Sequence, residues 1–337
     1  MGEKPSNSEP YRHIGVIGAG AWGTALALAA AKAGRKVSLW AREHEVVDSI
    51  TSSRVNAQFL PDVALPNEIR ATSDMPAAAA ADALLIVTPA QHLRSTLSLL
   101  ADHLAPDKPV VACAKGIERG TGKLMTEVLA ECLGNDRIGI LSGPSFAGDV
   151  ASNLPTAVTI AAKMNIAQRL QSALGHASFR PYASDDITGV ALGGAAKNVY
   201  AIACGIVMGM GLGESARAAL LARSFAELQR LGSALGAKPE TLMGLSGLGD
   251  LVLTATSATS RNYSFGIATG ERATRSAFAR HGHPLAEGVE SAPALIARAR
   301  QHNIELPIAE ATAAILDGSL ALDAAIPHLM ARPLKPE

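Results

Sequence analysis

The sequence predicts an α/β domain followed by an all-α domain, and three observations carry that expectation. Gly18-Ala19-Gly20-Ala21-Trp22-Gly23 fits the pattern GxGxxG and stands where a strand-like run gives way to a helical one. Up to about residue 185, short apolar runs alternate with helical patterns, as the βαβ units of a parallel sheet require. After Asp185 strand-like runs nearly vanish, and helical periodicity continues to the end.

Taken in order, residues 1–11 are polar and proline-containing, unlike a signal peptide, and predict a disordered tail. His13–Ile17 reads as a first strand, Ala21–Gly34 as a helix and Lys36–Trp40 as a second strand. Ala83–Thr88 is a buried strand ending at Pro89, and Gln91–Leu104 is helical. Pro109–Ala114 and Ile138–Leu141 are further strands. Val158–Ala162 and Phe179–Tyr182 are weaker candidates, joined by a helix after Met164. The domains are therefore set at 12–185 and 186–332. Gly209–Gly213 reads as a glycine-rich break between buried helices, not as a phosphate loop.

The glycine run has a specific physical logic. Gly18 permits a tight turn, Gly20 lets a pyrophosphate approach the backbone, and Gly23 lets helix and strand pack closely. Ala21, Trp22 and the start of the helix then face the phosphates with free N–H groups and a positive dipole end. This is a dinucleotide site, and the first domain is expected to be Rossmann-type. At the end of the second strand Arg42 stands where a guanidinium pairs with a 2′-phosphate, which makes NADP the preferred cofactor. Glu43 beside it keeps NAD usable, and an arginine simply exposed at a helix start is the other reading.

Composition excludes several classes. Thirty basic and thirty acidic residues balance, and nucleic-acid binding would leave a basic excess. The three cysteines form no CxxC pair and no zinc pattern, and the histidines have no HExxH-like spacing, so no metal is expected and a reducing cytoplasm is. Val190–Met208 has the length of a membrane span, but Lys197, Asn198 and several glycines near its centre predict a buried core helix and no membrane insertion.

Lys197 is the lone charge between Ile187 and Gly213. Burying an unpaired ammonium is costly, so this lysine either snorkels to solvent or is functional. Its helix neighbours Gly193, Gly194, Ala201 and Gly205 are small, and they predict a trough beside it where another molecule sits.

Several blocks, in order from Ile14 to about Leu329, resemble the bacterial NAD(P)-dependent glycerol-3-phosphate dehydrogenase family. They are GAGAWGTALA at 18–27, AKGIE at 114–118, SGPSFA at 142–147, GGAAKNVYAIACG at 193–205, GLGDLVLT at 247–254, SRN at 260–262 and EG at 287–288. The chain departs from the family's habit at Ala21, often serine, at Trp22, often tyrosine or phenylalanine, and in the looser run around Glu287.

The resemblance implies reversible reduction of dihydroxyacetone phosphate to sn-glycerol 3-phosphate, for phospholipid synthesis, by a cytoplasmic homodimer with its active site in the interdomain cleft. It implies that Lys197 is the proton donor and acceptor and that Lys115 contacts both cofactor and substrate. Gly143, Ser145, Asp250, Ser260, Arg261 and Asn262 are implied at the substrate, and Trp22, Arg42, Ala147, Arg261, Leu285 and Glu287 at the cofactor. The chemistry is coherent with this. Burial and a second cation, Lys115, ease Lys197 toward giving up a proton, while Asp250 holds it charged and oriented. Arg261 offers a planar fork to a phosphate, with Ser260 and Asn262 as donors beside it. On the residues alone, Lys115 also reads as a surface lysine, Asp250 as the end of a turn and Arg261 as a surface arginine. Two rivals stay open. A β-hydroxyacid dehydrogenase or imine reductase would have no need of the clamp at 260–262, and a non-catalytic NADP-binding sensor would have no use for Lys115, Lys197 and Asp250 together.

Overall fold

The computed structural model describes residues 9–271 and 286–331. The chain divides into two compact units. One runs up to Lys115 and resumes at Lys123–Ala191; the other comprises Gly116–Gly122 and the chain from Leu192. Order begins ahead of the first strand. Tyr11, placed in the tail by the sequence reading, is buried, with the Arg169 guanidinium 4.0 Å from its ring centre. Residues 1–8 of that tail lie outside the described residues.

The first unit holds an eight-stranded sheet. Its strands are β1 (His13–Ile17), β2 (Lys36–Trp40), β5 (Ile69–Thr72), β6 (Ala83–Ile86), β7 (Val110–Ala112), β8 (Ile138–Ser142), β9 (Thr156–Ala162) and β10 (Phe179–Ser184), while β3 (Val55–Asn56) and β4 (Leu60–Ala64) form a separate hairpin. The order is β5-β2-β1-β6-β7-β8-β9-β10. The chain winds outward from β1 to β2 and β5, then returns to β6 and continues the other way. The switch point therefore falls between β1 and β6, where ligands sit at the carboxyl ends of such strands. The parallel expectation holds from β5 to β8, but β9 runs antiparallel to β8. Its connection turns back at the same end of the sheet through the short helix α6 (Ala147–Ala151), so no crossover is needed.

Side-chain alternation along the strands builds two cores. Ile14 and Val16 of β1, Leu85 of β6 and Val111 of β7 pack with α1 (Ala21–Lys32), α6 and α7 (Met164–Leu174). Ile17, Leu84, Ile86 and Val110 face the other way, toward α3 (Met75–Ala79), α4 (Leu93–Leu100) and α5 (Met125–Leu133). Both faces of the central strands are thus covered, which is why they read as near-continuous apolar runs. The stretch between β2 and β6 was not read from the sequence. It contains α2 (His44–Ser53), the β3–β4 hairpin and β5, whose residues are largely polar and half-exposed.

The described elements of the second unit are all helical. The long apolar helix α8 (Ile187–Gly209) is followed by α9 (Glu214–Ala234), α10 (Pro239–Met243), α11 (Asp250–Thr256), α12 (Arg261–Gly270), α13 (Glu287–Gln301), α14 (Pro307–Asp317) and α15 (Leu322–Met330). The break at 209–213 is real, with Gly211 and Gly213 at φ 72° and 87°, left-handed values that suit glycine. Helix α8 is core, with 94% of its apolar window buried.

Of the small residues expected to border a trough beside Lys197, Gly193 and Gly205 meet other backbone. A β-carbon on Gly193 would collide with the Ser246 carbonyl, one on Gly205 with the Tyr263 carbonyl, and one on Gly209 with the Ile267 carbonyl. The relation is reciprocal, since Gly266 and Gly270 of α12 meet the Ile202 and Ile206 carbonyls, and Gly288 of α13 meets that of Asn198. At Gly193 and Gly205 the space read from composition is taken by the protein's own backbone, packed through small residues.

One buried charge ties this bundle together. Glu227 of α9 is 2% exposed and accepts from the amides of Ile308 (2.7 Å) and Ala309 (3.4 Å) in the first turn of α14. Tyr200 of α8 lies against it and Arg230 is nearby. Burial pushes its carboxyl from near 4.5 up to about 7, against the opposing pull of the two amides. The native state then holds this proton more tightly than the unfolded chain does. Stability from this group is full below pH 4.5 and falls as pH rises toward 7, by about 3 kcal/mol at roughly 1.4 kcal/mol per pH unit. Thermal unfolding followed from pH 4.5 to 8 should show that slope in the wild type and lose it in Glu227→Gln.

Candidate active site

Each glycine of the β1–α1 turn has the reason the motif assigns it. Gly18 sits at φ 116°, and its amide donates to the Trp40 carbonyl at 3.0 Å, tying the turn to β2. A β-carbon on Gly23 would collide with the Gly18 carbonyl, so helix and turn close only over a hydrogen. A β-carbon on Gly20 would meet nothing within 4 Å, so this backbone faces open space. Ala21 opens α1 with no acidic residue in its first turn, leaving its positive end uncompensated. These features fit a dinucleotide pyrophosphate. Trp22 packs on the core, and its Nε1 is buried without a hydrogen-bond partner.

Arg42 follows β2, with its side chain 78% exposed, and donates through Nε (2.9 Å) and Nη2 (2.6 Å) to Glu43 Oε1. That hydrogen-bonded guanidinium holds the Glu43 carboxyl below its usual range. The two residues that point to opposite cofactor preferences therefore form a pair.

Beyond β7 and β8 a second cluster forms. Lys115 Nζ donates to the Gly143 carbonyl at 2.9 Å, and Ser145 Oγ donates to the same oxygen at 3.1 Å. Gly143 has φ 149°, and a β-carbon there would crowd the Val158 backbone at 2.8 Å, so the turn requires glycine. Ala147 is the first residue of α6. Lys115, Gly143 and Ser145 are thus brought together, as the sequence reading expects.

In the second unit Lys197 is 7% exposed. Its ammonium donates to Asp250 Oδ1 and, at 2.8 Å, to Thr254 Oγ1. Asp250 is fully buried and begins α11 directly after a single π-type turn, Leu245–Gly249, of a kind often found at functional sites. Thr254 lies one helical turn on and approaches Asp250 at 3.3 Å. Sequence reasoning missed Thr254. Its signal was the i, i+4 spacing from Asp250 inside the GLGDLVLT block. The snorkelling reading of Lys197 is set aside, because its charge ends on a buried carboxylate.

The residues 260–262 divide their work. Ser260 is buried and caps α12, its Oγ accepting from the Tyr263 amide at 3.3 Å. Asn262 is buried too. Its Nδ2 donates to Asn198 Oδ1 at 3.0 Å and its Oδ1 accepts from the Gly288 amide at 2.9 Å, joining α8, α12 and α13. The side chains of Ser260 and Asn262 are therefore engaged in the fold. Arg261, between them, is exposed at the first position of α12. Glu287 opens α13, and Leu285 lies outside the described residues. Among the described residues no group of three or more His, Cys, Asp or Glu side chains is placed to hold a metal.

Comparison with known proteins agrees with this geometry. Residues 13–168 match the NAD-dependent glycerol-3-phosphate dehydrogenase N-terminus, and residues 186–327 match the C-terminus of the same family. The glycerol-3-phosphate dehydrogenase [NAD(P)+] of Parvibaculum lavamentivorans is 56% identical over 97% of this chain and 98% of its own length. That of Bradyrhizobium diazoefficiens is 56% identical over 97% and 99%. The crystal structure of glycerol-3-phosphate dehydrogenase from Coxiella burnetii superposes with a TM-score of 0.90 at 38% identity, covering 96% of this chain and 99% of that one. With the glycine turn, the Lys197–Asp250–Thr254 cluster and matches across both units, the chain belongs to the NAD-dependent glycerol-3-phosphate dehydrogenase family.

Proposed function

We propose that this chain reduces dihydroxyacetone phosphate to sn-glycerol 3-phosphate, reversibly, with NADPH preferred and NADH usable. The observation that carries the reading is the buried Lys197 ammonium held by Asp250 and Thr254. When bound, the dinucleotide supplies the hydride. Lys197 gives a proton to the substrate oxygen as negative charge develops there. Asp250 and Thr254 accept from its ammonium and so fix its position. Asp250 also keeps the cation charged until the proton is needed, and in the reverse direction it holds the lysine in place to accept one.

Arg261 grips the phosphate, aided by the positive end of the α12 dipole. Lys115, Gly143 and Ser145 form a second substrate contact, with Lys115, Ala147 and Glu287 also serving the cofactor. We place the enzyme in the cytoplasm as a homodimer feeding glycerophospholipid synthesis.

The deciding assay follows NADPH absorbance with dihydroxyacetone phosphate. Rapid loss supports the reading. Loss only with a β-keto acid or an imine would replace it with the rival dehydrogenase class, and no loss with any of them would return the sensor.

Cofactor choice gives a sharper test. Arg42→Ala removes a charged hydrogen bond to the 2′-phosphate, so the NADPH-over-NADH ratio of kcat/KM should fall by about 1.5–3 kcal/mol, roughly 10- to 100-fold, with NADH use largely kept. Glu43→Gln frees the guanidinium and should raise the same ratio. Steady-state kinetics with both cofactors reads both effects, and unchanged ratios would remove Arg42 from the cofactor site.

A further inference from the structure

A polar residue far from the motif in sequence controls the direction of one of its peptide bonds. Asn56 of β3 is 0% exposed. Its Nδ2 donates to the Ala19 carbonyl at 2.8 Å and to Thr24 Oγ1 at 2.8 Å, and its Oδ1 accepts from the Phe59 amide at 3.3 Å. Thr24, in the second turn of α1 and also 0% exposed, donates its hydroxyl to the same Ala19 carbonyl at 3.4 Å. Two donors thus converge on one carbonyl inside the glycine turn.

In a trans peptide the C=O and N–H point in opposite directions. Holding the Ala19 oxygen inward therefore drives the Gly20 N–H outward, on the residue whose missing side chain leaves open space. Turning that peptide over would strand two buried donors and present a carbonyl oxygen, a partial negative charge, to any approaching phosphate.

We propose that Asn56, acting with Thr24 through the Ala19–Gly20 peptide, is a positioning residue that sets the Gly20 N–H to receive the dinucleotide pyrophosphate. The assignment rests on the dinucleotide reading of this turn. It also explains why a hairpin of two short strands, β3 and β4, is carried beside the main sheet. The hairpin delivers one amide side chain to the inner side of the turn.

A positioning role and a merely structural one differ in which ligands they affect. Adenosine 2′-phosphate shares the adenosine and 2′-phosphate of NADPH but has no pyrophosphate. Titration calorimetry with both ligands on the full-length protein reads the difference. Asn56→Leu should weaken NADPH by at least about tenfold and leave adenosine 2′-phosphate within twofold. Thr24→Val should act in the same direction, and Thr24→Ser, which keeps the hydroxyl, should bind as the wild type does. The Thr24 pair carries the test by itself if Asn56→Leu does not fold. Equal loss of both ligands, or no loss of either, overturns the proposal. A wild type that binds adenosine 2′-phosphate but gains nothing from the rest of NADPH overturns the dinucleotide reading, and the proposal with it.

Discussion

Lys197→Met should lower turnover by at least about 100-fold, the low end for positioned acid–base catalysis, while NADPH still binds. The structure adds a second consequence. The Asp250 side chain is 1% exposed and ion-paired with Lys197, so removing the cation leaves a buried carboxylate without its counter-charge. Breaking such a pair costs about 3–5 kcal/mol, and the variant's thermal midpoint should drop accordingly. Adding Asp250→Asn to Lys197→Met removes that charge, so the double variant should recover stability but not turnover. Calorimetry and single-turnover kinetics on both proteins separate the two effects. Near-normal turnover in either folded variant would end the proton-donor assignment.

Arg261→Ala should depress kcat/KM for dihydroxyacetone phosphate by roughly 10- to 100-fold, as loss of one charged hydrogen-bonded contact implies. The much poorer reaction with unphosphorylated dihydroxyacetone should barely change, because it offers the arginine nothing to hold. The ratio between the substrates cancels general damage to the site. Exposure at the first position of α12 makes this a clean substitution, within about 0.5 kcal/mol of wild-type stability. Ser260 and Asn262 would not serve as well, since their side chains cap α12 and join three helices. Equal loss with both substrates would assign Arg261 to the cofactor or to structure, and an NADPH titration tells which.

What was legible in the sequence was whatever rests on local rules. The glycine turn, the buried strands and the helical second half each follow from spacing within a short window, and each is where periodicity puts it. Lys197 stood out because one charge in an apolar run is visible locally. Its partners were less visible. Asp250 came from a matching block, and Thr254 was overlooked, because contacts made across about fifty residues leave no mark on periodicity. Asn56 was invisible for the same reason, an ordinary polar residue in an ordinary loop until the hairpin brings it under the turn. Glu227 was not singled out, because nothing local marks one charge on a half-polar helix as buried. Gly193 and Gly205 show what a reading of small residues leaves open. Glycines in a helix show that space is needed on one face, and composition does not say whether a ligand or a neighbouring backbone takes it.

The close seating of α12 on α8 also bears on how the chain is made. An apolar helix 23 residues long leaves the ribosome before the segment that covers its glycine face exists. Roughly fifty residues separate Gly209 from Arg261, and at about 5–20 residues per second they take on the order of 3–10 s to emerge. For that interval the nascent chain displays a stretch that meets the length and hydropathy of a membrane span. Its lone lysine near the middle, costly in lipid, is what weighs against that helix entering the bilayer until its partner arrives.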